Sequence, residues 1–469
     1  MARGGLSASS LLPILLVVLH LIPHTSQLQS SQSQTLLQIR KHLNYPTILS
    51  HWNSSTDFCN TDPEPSLTIV CYEDSVTQLH VIGKEGSRLL PRNFSIDSLF
   101  TTLGRLPSLK VLSLVSLGLW GPLPAKISRL SSLEIVNMSS NFLYGAVPQE
   151  ISLLKDLQTL ILDYNMLNGG VPDGLSALPA LAVLSLKNNS LGGPLPDSLS
   201  TMENLRVLAL SRNRLTGEVP DLSGLRNLQV LDVEDNLLGP QFPRLGNKVV
   251  TLVLKKNRFN SGIPPEVVSF FQLQQLDISL NRFVGPFPLL LLSLPSIRYL
   301  NVEGNRLTGM LFENTSCNAE LGFVDLSSNL LTGVLPKCLV SDSKGRIVRY
   351  AGNCLATQSQ SQSQHPRPFC RNEALAVGIV HRKQKKGSAE KAVIASSVVG
   401  GVAGGLALTA ILTWTILRWK NMRTVVRRPP RKLIAEKAST EFSSKLVSDA
   451  SNLFFHLNAL FPYYLRFVV

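Results

Sequence analysis

The sequence predicts an α/β solenoid, in which successive coils stack and contribute short strands to one parallel β-sheet on the concave side. Three observations support this fold class. A pattern of the form LxxLxLxxNxLxG recurs at a near-constant period, a glycine and a proline follow it at fixed offsets, and all six cysteines lie at the two ends of the repeating region. Such a period is typical of repeat proteins, because a single coil cannot bury its apolar face alone.

The asparagine position of this pattern occurs ten times and sets the register of the coils. Seven of the nine gaps are 24 residues, one is 23 and one is 21. Ten copies at one period are a far more specific signal than a single short motif. The position is occupied by Leu117, Asn141, Asn165, Asn189, Asn213, Asn236, Asn257, Asn281, Asn305 and Asn329.

Each part of the pattern has a physical role, as the fourth repeat illustrates. The residues that we expect to point between successive coils are Leu181, Leu184, Leu186 and Leu191. Asn189 is polar yet faces inward, and its amide can both donate and accept hydrogen bonds where the strand ends. Stacked copies are therefore expected to form an asparagine ladder. Leu117 cannot join it, which is typical of a terminal repeat.

Glycine and proline follow the asparagine at fixed offsets, as Gly193 and Pro196 do in the fourth repeat. Glycine permits a turn with positive φ, and proline pre-sets the next one. This GxLP signature resembles the plant-type leucine-rich repeat, which implies a second short strand in each coil and a superhelical twist. Around Asn236 and Asn257 the spacing shortens, so residues 221–263 carry either a local change of curvature or ordinary repeat drift.

The cysteines predict caps at both ends of an otherwise open core. Cys59 and Cys71 lie far from the other four and are expected to pair. The remaining four allow three pairings, of which we favour sequence neighbours; these are Cys317 with Cys338 and Cys354 with Cys370. Trp52 and a helical stretch at residues 34–43 resemble the plant leucine-rich-repeat N-terminal cap. Disulfides indicate an oxidising compartment, and without a CxxC pair or clustered histidines no metal site is expected.

Two surface features are predicted from the repeat register. Five glycosylation sequons lie in the outer part, at Asn53, Asn93, Asn137, Asn188 and Asn314; Asn137 falls on the concave side, where a glycan would block the first repeats. The exposed strand positions are small in the early repeats and charged from the fifth repeat on. Candidate ligand-binding residues are Arg206, Arg212, Glu234, Asp235, Lys255, Lys256, Arg298, Tyr299 and Glu303. A solvated concave face is the alternative.

Two apolar segments predict secretion and a membrane anchor. Residues 1–26 have a basic start and a short apolar stretch, as a cleaved signal peptide does. Residues 392–417 carry no charge and as a helix would span ~39 Å, enough for a hydrocarbon core of ~30 Å. Two GxxxG pairs inside the segment permit a homo- or heterodimer of spans. Clustered basic residues after it favour a cytosolic C-terminus, and hence a single-pass plasma-membrane protein with its N-terminus outside.

The charge distribution excludes a nucleic-acid partner. The formal net charge is +14, yet residues 27–380 hold 29 Lys/Arg and 27 Asp/Glu, whereas residues 381–469 hold 15 and 4. The basic excess therefore flanks the apolar segment, where anionic membrane lipid is the expected partner. The predicted domains are a signal peptide (1–26), an N-terminal cap (27–75), an irregular first coil (76–105), ten repeats (106–340), a C-terminal cap and flexible stalk (341–390), a transmembrane helix (391–419) and a short cytosolic tail (420–469).

This arrangement resembles the plant leucine-rich-repeat receptor-like protein kinases, and in particular their probable inactive kinase subgroup. The stretches that carry the resemblance are CNAELGFVDLSSNLLTGVLPKCL from Cys317, RYAGNC from Arg349, RNEALAVGI from Arg371 and RPPRKLIAE from Arg428. The resemblance implies an extracellular peptide or protein ligand, or another receptor ectodomain, as partner. It also implies a cytosolic kinase or pseudokinase domain, whose Gly-rich loop, VAIK, HRD and DFG motifs are not in this sequence.

Function therefore follows from binding rather than catalysis: we expect no enzyme activity, no catalytic residues and no cofactor. Three interpretations stay open, namely a receptor or co-receptor, a fragment of a receptor-like kinase or pseudokinase, and a regulatory decoy. The aromatic stretch at residues 452–469 departs from the family pattern. It is interpreted either as a membrane-surface segment or as sequence from a truncated or misspliced transcript. The second is favoured because the resemblance to the family is lost abruptly and because such a composition is aggregation-prone.

Overall fold

The computed structural model describes residues 28–84, 86, 88–340, 345–356 and 362–370. The predicted signal peptide, the apolar segment at residues 392–417 with its GxxxG pairs, and the cytosolic tail lie outside these residues. None of the helices within the described ranges combines the length and apolar composition that a bilayer crossing requires.

The described residues build the predicted solenoid around one long sheet. The first two strands of this sheet pair antiparallel. Every later strand pairs in parallel with the strand of the same sheet that precedes it in the sequence. Thirteen strands of the described chain form it, in the order Leu67–Tyr72, Ser75–Ile82, Val111–Val115, Ile135–Asn137, Thr159–Ile161, Val183–Ser185, Val207–Ala209, Val230–Asp232, Thr251–Val253, Gln275–Asp277, Tyr299–Asn301, Phe323–Asp325 and Ile347–Arg349. The α/β solenoid with a parallel sheet is thus confirmed.

Most coils return to the sheet through a second short strand, and many also contain one turn of 3-10 helix. The second strands are Trp120–Pro122, Phe142–Gly145, Met166–Leu167, Gly192–Gly193, Arg214–Gly217, Leu237–Leu238, Val284–Pro286, Arg306–Thr308, Met310–Leu311, Thr332–Gly333 and Cys354–Leu355. The 3-10 helices are Thr47–Leu49, Ala125–Arg129, Gln149–Leu153, Asp173–Ala177, Asp197–Thr201, Pro265–Ser269 and Leu289–Ser293. A proline precedes each of these helices with extended φ and ψ, which explains why the repeat needs proline at that offset.

The core is a continuous aliphatic column, because the leucines of every coil point between their neighbours. Leu184, Leu186 and Leu191 are fully buried. Asn213 shows how the buried asparagines hold the coils together. Its Oδ1 accepts from the Leu191 amide at 3.0 Å, and its Nδ2 donates to the carbonyls of Leu186 at 2.9 Å and Leu210 at 3.0 Å. The asparagine side chain therefore satisfies backbone groups of two coils, and the predicted ladder is confirmed.

The ladder continues one coil beyond the predicted end of the repeats at residue 340. Asn353 is fully buried, accepts from the Leu331 amide at 3.0 Å and donates to the Leu326 carbonyl at 2.8 Å. The strand Ile347–Arg349 supplies this coil. At the other end, the side chain of Leu117 has no amide group with which to extend the ladder. The backbone N–H of Leu117 instead donates to Asn141 Oδ1 at 3.1 Å. We refer below to each coil by its ladder position, from the Leu117 coil to the Asn353 coil.

The shortened repeats leave the concave sheet undisturbed. Val230–Asp232 pairs in register with Thr251–Val253, which in turn pairs with Gln275–Asp277. The missing residues come from the opposite side, because the described residues between Asn213 and Asn257 contain no 3-10 helix. A cis Gly239–Pro240 bond lies in this stretch. Length differences between repeats are thus absorbed where no ladder bond is made.

Both ends are closed by caps with the favoured disulfides. Cys59–Cys71, Cys317–Cys338 and Cys354–Cys370 are all present, with Cα–Cα distances of 5.4, 5.9 and 5.6 Å. At the N-terminus the helix Ser30–His42 begins four residues earlier than predicted. Gln32 joins it to the sheet, since its Oε1 accepts from the Val76 amide at 2.9 Å. A second helix, Ile96–Leu103, is capped by the Ser95 hydroxyl, which accepts from the Ser98 amide.

The C-terminal cap is more extensive than the sequence predicted. A short helix, Lys337–Val340, carries Cys338. The Arg346 guanidinium donates to the carbonyls of Leu321, Cys338 and Asn318 at this end of the core. Part of the predicted flexible stalk is also bound to the last coil: the Gly352 amide donates to the Ser363 carbonyl at 2.7 Å, and the amide of His365 to the carbonyl of Asn353 at 2.7 Å. This correction applies to residues 362–370.

Candidate functional site: the concave face and its edge

Two kinds of position outside the aliphatic core surround each ladder residue. Residues two, four and six places before it alternate with buried leucines and therefore lie on the concave face of the sheet. Residues directly before and after the ladder residue lie on the edge of the sheet. The residue before it is left-handed in every coil, as φ values of 56° at Arg212 and 54° at Lys256 show.

The structure divides the predicted ligand-binding residues into three sets. Glu234, Lys255, Tyr299 and Glu303 lie on the concave face, as predicted from the strand positions. The others do not share that face. Arg212, Asp235 and Lys256 precede ladder asparagines and lie on the edge. Exposed Arg206 and Arg298 directly precede strands, and their carbonyls bond the amides of the next coil.

The middle of the concave face is an alternating set of charges around a buried carboxylate. Asp232 is 4 % exposed and accepts from the Ser211 hydroxyl at 3.0 Å and the Glu234 amide at 3.2 Å. Burial raises the pKa of Asp232 to about 6, although nearby Lys187 acts in the opposite direction. Lys255 Nζ lies 3.4 Å from Glu234 Oε1. Burial also raises the pKa of Asp163, which accepts from Ser185 Oγ at 2.7 Å.

The later coils carry a second carboxylate cluster. Asp277 Oδ1 accepts from the amide and hydroxyl of Ser279, at 3.0 and 2.6 Å. Its other oxygen lies 3.4 Å from both the Tyr299 hydroxyl and the Asn301 amide nitrogen, at the limit of hydrogen bonding. Burial raises the pKa of Asp277, and burial followed by the Asp277 charge raises the pKa of Tyr299 to about 12. Tyr299 is therefore a neutral hydrogen-bond donor in this cluster.

An aromatic pair lies beside these carboxylates. The rings of Tyr299 and Phe323 stack with centroids 4.5 Å apart and an angle of 6° between their planes. The exposed Arg349 guanidinium lies 5.7 Å from the centre of the Phe323 ring and 3.6 Å from the fully buried Asp325 carboxylate. Burial, and then the charge of Asp325, raise the pKa of the Glu303 carboxyl. Aromatic and charged groups thus converge on the last three strands of the sheet.

Sequence reasoning missed several members of this cluster, although a signal existed. Phe323, Asp325, Asn301 and Arg349 were not among the candidates. An Asp-x-Ser motif occurs four residues before the ladder asparagine in the coils of Asn281 and Asn329, and in both coils the serine bonds the aspartate. The repeat of this motif at one register could have identified both carboxylates. Arg349 lies in the coil beyond the predicted end.

The predicted glycosylation sites differ in accessibility. Asn53, Asn93 and Asn314 are exposed, whereas Asn137 and Asn188 are half-buried. Asn137 lies on the concave face, and its Oδ1 accepts from the amide and hydroxyl of Ser139 at 3.1 and 2.8 Å. A glycan on Asn137 would require this side chain to turn away from Ser139. Within the described ranges, no group of three His, Cys, Asp or Glu side chains is arranged to hold a metal ion.

Comparison with known proteins gives a consistent picture. The family described as leucine-rich repeat region matches residues 81–337, and the leucine-rich-repeat N-terminal domain matches residues 29–61. A probable inactive leucine-rich repeat receptor-like protein kinase of Arabidopsis thaliana is 57 % identical over 94 % of this chain and 55 % of its own length. The chain therefore spans about half the length of this relative.

Solved structures with the same fold have different binding partners. The Arabidopsis receptor kinase HAESA, solved with the peptide hormone IDA and the co-receptor SERK1, is 27 % identical with a TM-score of 0.52, over 60 % of this chain and 51 % of its own. A plant ice-binding protein is 26 % identical with a TM-score of 0.51, over 73 % of this chain and 99 % of its own. The repeat register, the buried ladder, the capping disulfides and these matches agree: the chain belongs to the leucine-rich-repeat family, and its relatives include plant receptor-like kinases.

Proposed function

We propose that this chain is a receptor-like protein of the plasma membrane whose leucine-rich repeats bind a peptide, or a partner ectodomain, on the concave face of the later coils. The uncharged segment at residues 392–417 supports the anchor, and the three disulfides support an extracellular location of the repeats. The receptor-like relative and the hormone-bound receptor structure support a ligand-binding role.

The observation that carries the proposal is an acidic excess beside an aromatic pair. From the Asn236 coil to the Asn353 coil, the concave positions hold two cations, Lys255 and Arg349. The carboxylates there are Asp232, Glu234, Asp277, Glu303 and Asp325. The raised pKa values of Asp277 and Glu303 indicate carboxylates that are incompletely compensated. A ligand cation would supply the missing charge, and an apolar neighbour could pack on the Tyr299–Phe323 pair.

The ligand is therefore proposed to be an extended peptide segment that carries a lysine or arginine next to an apolar residue. Aromatic anchors and charged groups in a desolvated centre supply most of the affinity in protein interfaces. A solvated, ligand-free face is the competing interpretation, because the charges of Glu234 and Lys255 already pair with each other. An ice-binding role is not favoured, since the concave face is charged and irregular rather than flat and repetitive.

The experiment selects random-sequence peptides on the purified full chain and measures the affinity of the retained peptides for single variants. Tyr299→Ala is expected to weaken binding about tenfold or more, because it removes half of the aromatic pair. Lys255→Ala is expected to strengthen binding of a cationic peptide a few-fold, since it removes a like charge. Thr159→Ala changes the equivalent position of an early coil and serves as the matched control.

The proposal is supported if Tyr299→Ala weakens peptide binding, Lys255→Ala strengthens it and Thr159→Ala leaves it unchanged. If neither site variant changes the affinity of any retained peptide, the concave face is not the binding site. Signalling readouts with and without residues 420–469 then separate a receptor from a decoy, because only a receptor needs a cytosolic segment to transmit binding.

A further inference from the structure

The edge of the sheet changes character along the solenoid. In the coils of Leu117, Asn141, Asn165 and Asn189, the residues directly before and after the ladder position carry no charge. In the next five coils, those of Asn213 to Asn305, the same positions hold six cations and one carboxylate. We call these six residues the basic edge: Arg212, Arg214, Lys256, Arg258, Arg282 and Arg306.

The arginines of the basic edge have no partner within the described part of the chain. All five are exposed, and none makes an ion pair or a side-chain hydrogen bond with a described residue. Some exposed lysines elsewhere are paired: Lys110 lies 2.8 Å from Glu134, and Lys337 lies 3.2 Å from Glu313. Even Lys256 pairs with the one acidic edge residue, Asp235, at 2.8 Å. The arginine charges are thus left available to an external anion.

The backbone holds these arginines in a regular row. The amides of Arg258, Arg282 and Arg306 each donate to a carbonyl of the preceding coil, at 2.8, 2.8 and 2.9 Å. Neighbouring coils are about 4.8 Å apart, as parallel strands are. Three consecutive arginines therefore cover roughly 10 Å, and Arg214, two coils earlier, extends the row to roughly 20 Å.

The geometry points to a linear polycarboxylate as the ligand of this edge, and we propose that it is an anionic polysaccharide with one carboxylate on each sugar. Guanidinium groups bind carboxylates through two parallel hydrogen bonds, which suits a row of arginines better than of lysines. A repeating polymer presents charge at a constant interval, as the three consecutive arginines Arg258, Arg282 and Arg306 do, whereas charges on a folded partner follow no such interval. The capping disulfides indicate an oxidising compartment, where nucleic acid is not the expected polyanion.

The basic edge differs from the concave site in its position and in the sign of its net charge. The concave face of the later coils has an excess of carboxylates, and the adjoining edge has an excess of cations. A polyanion would therefore be repelled by the face and attracted by the edge. Binding at the edge does not require that the concave face bind a peptide, so the two proposals can fail separately.

The test measures binding of a linear galacturonate oligomer, and of its uncharged methyl ester, to the purified full chain by calorimetry. The edge variant combines Arg258→Gln, Arg282→Gln and Arg306→Gln. The matched control combines Arg92→Gln, Arg129→Gln and Arg226→Gln, which removes the same charge from exposed arginines in other coils. All six side chains are exposed, so equal thermal unfolding midpoints are expected and verify that each variant is folded.

We expect galacturonate to bind and its ester not to bind. The edge variant should bind at least about tenfold more weakly, the control should stay within about twofold, and added salt should weaken binding. A further variant with Arg258→Lys, Arg282→Lys and Arg306→Lys should be intermediate, because lysine keeps the charge without the paired hydrogen bonds.

Three results would overturn the proposal. Equal loss in the edge and control variants would show that only net charge matters. Equal binding of galacturonate and its ester would show that carboxylates are not recognised. Tighter binding of polyglutamate than of galacturonate, lost in the edge variant, would assign the edge to an acidic protein segment instead.

Discussion

The early and late coils of this solenoid have the same interior and different exteriors. In the Asn165 coil and the Asn281 coil alike, the leucine or isoleucine positions are fully buried and the asparagine bonds two coils. Outside, the Asn165 coil presents Tyr164 and Met166 on its edge, whereas the Asn281 coil presents Leu280 and Arg282. The positions that stabilise the fold therefore repeat from coil to coil, whereas the surface positions vary.

The largest expected effect tests whether the buried asparagines of the early and late coils contribute equally to the free energy of unfolding. Asn165→Ala and Asn281→Ala each remove the side-chain acceptor of a buried amide in the preceding coil, and one of the two asparagine hydrogen bonds to a buried carbonyl of that coil. Each variant should lower the free energy of unfolding by roughly 2–5 kcal/mol, as measured by denaturant titration. Asn227→Ala, which removes one exposed hydrogen bond to the Glu203 carbonyl, should change it by less than about 1 kcal/mol. Clearly unequal losses at Asn165 and Asn281 would contradict a uniform interior.

A smaller effect is expected in the pH dependence of the stability of a late coil. The pKa of Asp232 is raised to about 6 by burial, so its contribution to stability is fully present below the unfolded-state pKa near 4 and is lost as pH rises through 6. Asp232→Asn can keep the bonds to Ser211 and Glu234. It should therefore remove a decline of up to about 3 kcal/mol between pH 4 and pH 7 in the free energy of unfolding.

The control for this measurement is Asp221→Asn. The Asp221 carboxyl is expected to change the free energy of unfolding with pH in the opposite direction. Hydrogen bonds from Ser223 lower the pKa of this exposed carboxyl, so its contribution is present above the unfolded-state pKa and is lost as pH falls. If the pH profile of the Asp232→Asn variant is parallel to that of the wild type, the buried carboxylate does not titrate as proposed.

The smallest expected effect concerns the left-handed residue before each ladder position. Gly304 has φ 66°, and a Cβ added there would lie 3.0 Å from Leu280 Cδ2. Gly304→Ala should lower the free energy of unfolding by about 1 kcal/mol, because alanine is strained at positive φ. Gly322→Ala is the comparison, since its backbone is not left-handed and its nearest neighbour is 3.9 Å away. A neutral Gly304→Ala variant would show that the late coils relax at this turn.

Most of the fold could be predicted from the sequence, because every interior residue packs between the equivalent residues of the preceding and following coils. The ladder, the parallel sheet and all three disulfides were predicted correctly. The last coil was missed because Tyr350 replaces the expected leucine three residues before Asn353. The bonds from residues 362–370 to that coil were missed because a Ser/Gln tract has no periodicity that would indicate them.

The candidate site was predictable only in outline. Strand alternation placed Glu234, Lys255 and Tyr299 on the concave face, yet it gave no reason to separate Arg212, Asp235 and Lys256 from them. That separation follows from the left-handed turn before each ladder residue, a backbone property that the residue types do not reveal. Stacking of Tyr299 on Phe323 depends on adjacent coils 24 residues apart, and only the register of the sheet brings them together.

The asparagine ladder has a consequence for how such a surface could arise. Each ladder bond joins one coil to the next in the same way, so duplication of a whole coil would restore every interior contact and leave both caps intact. The same event would move all later surface charges by one constant step. A row of evenly spaced cations could therefore be lengthened by duplication of coils, without any new interior contact being required.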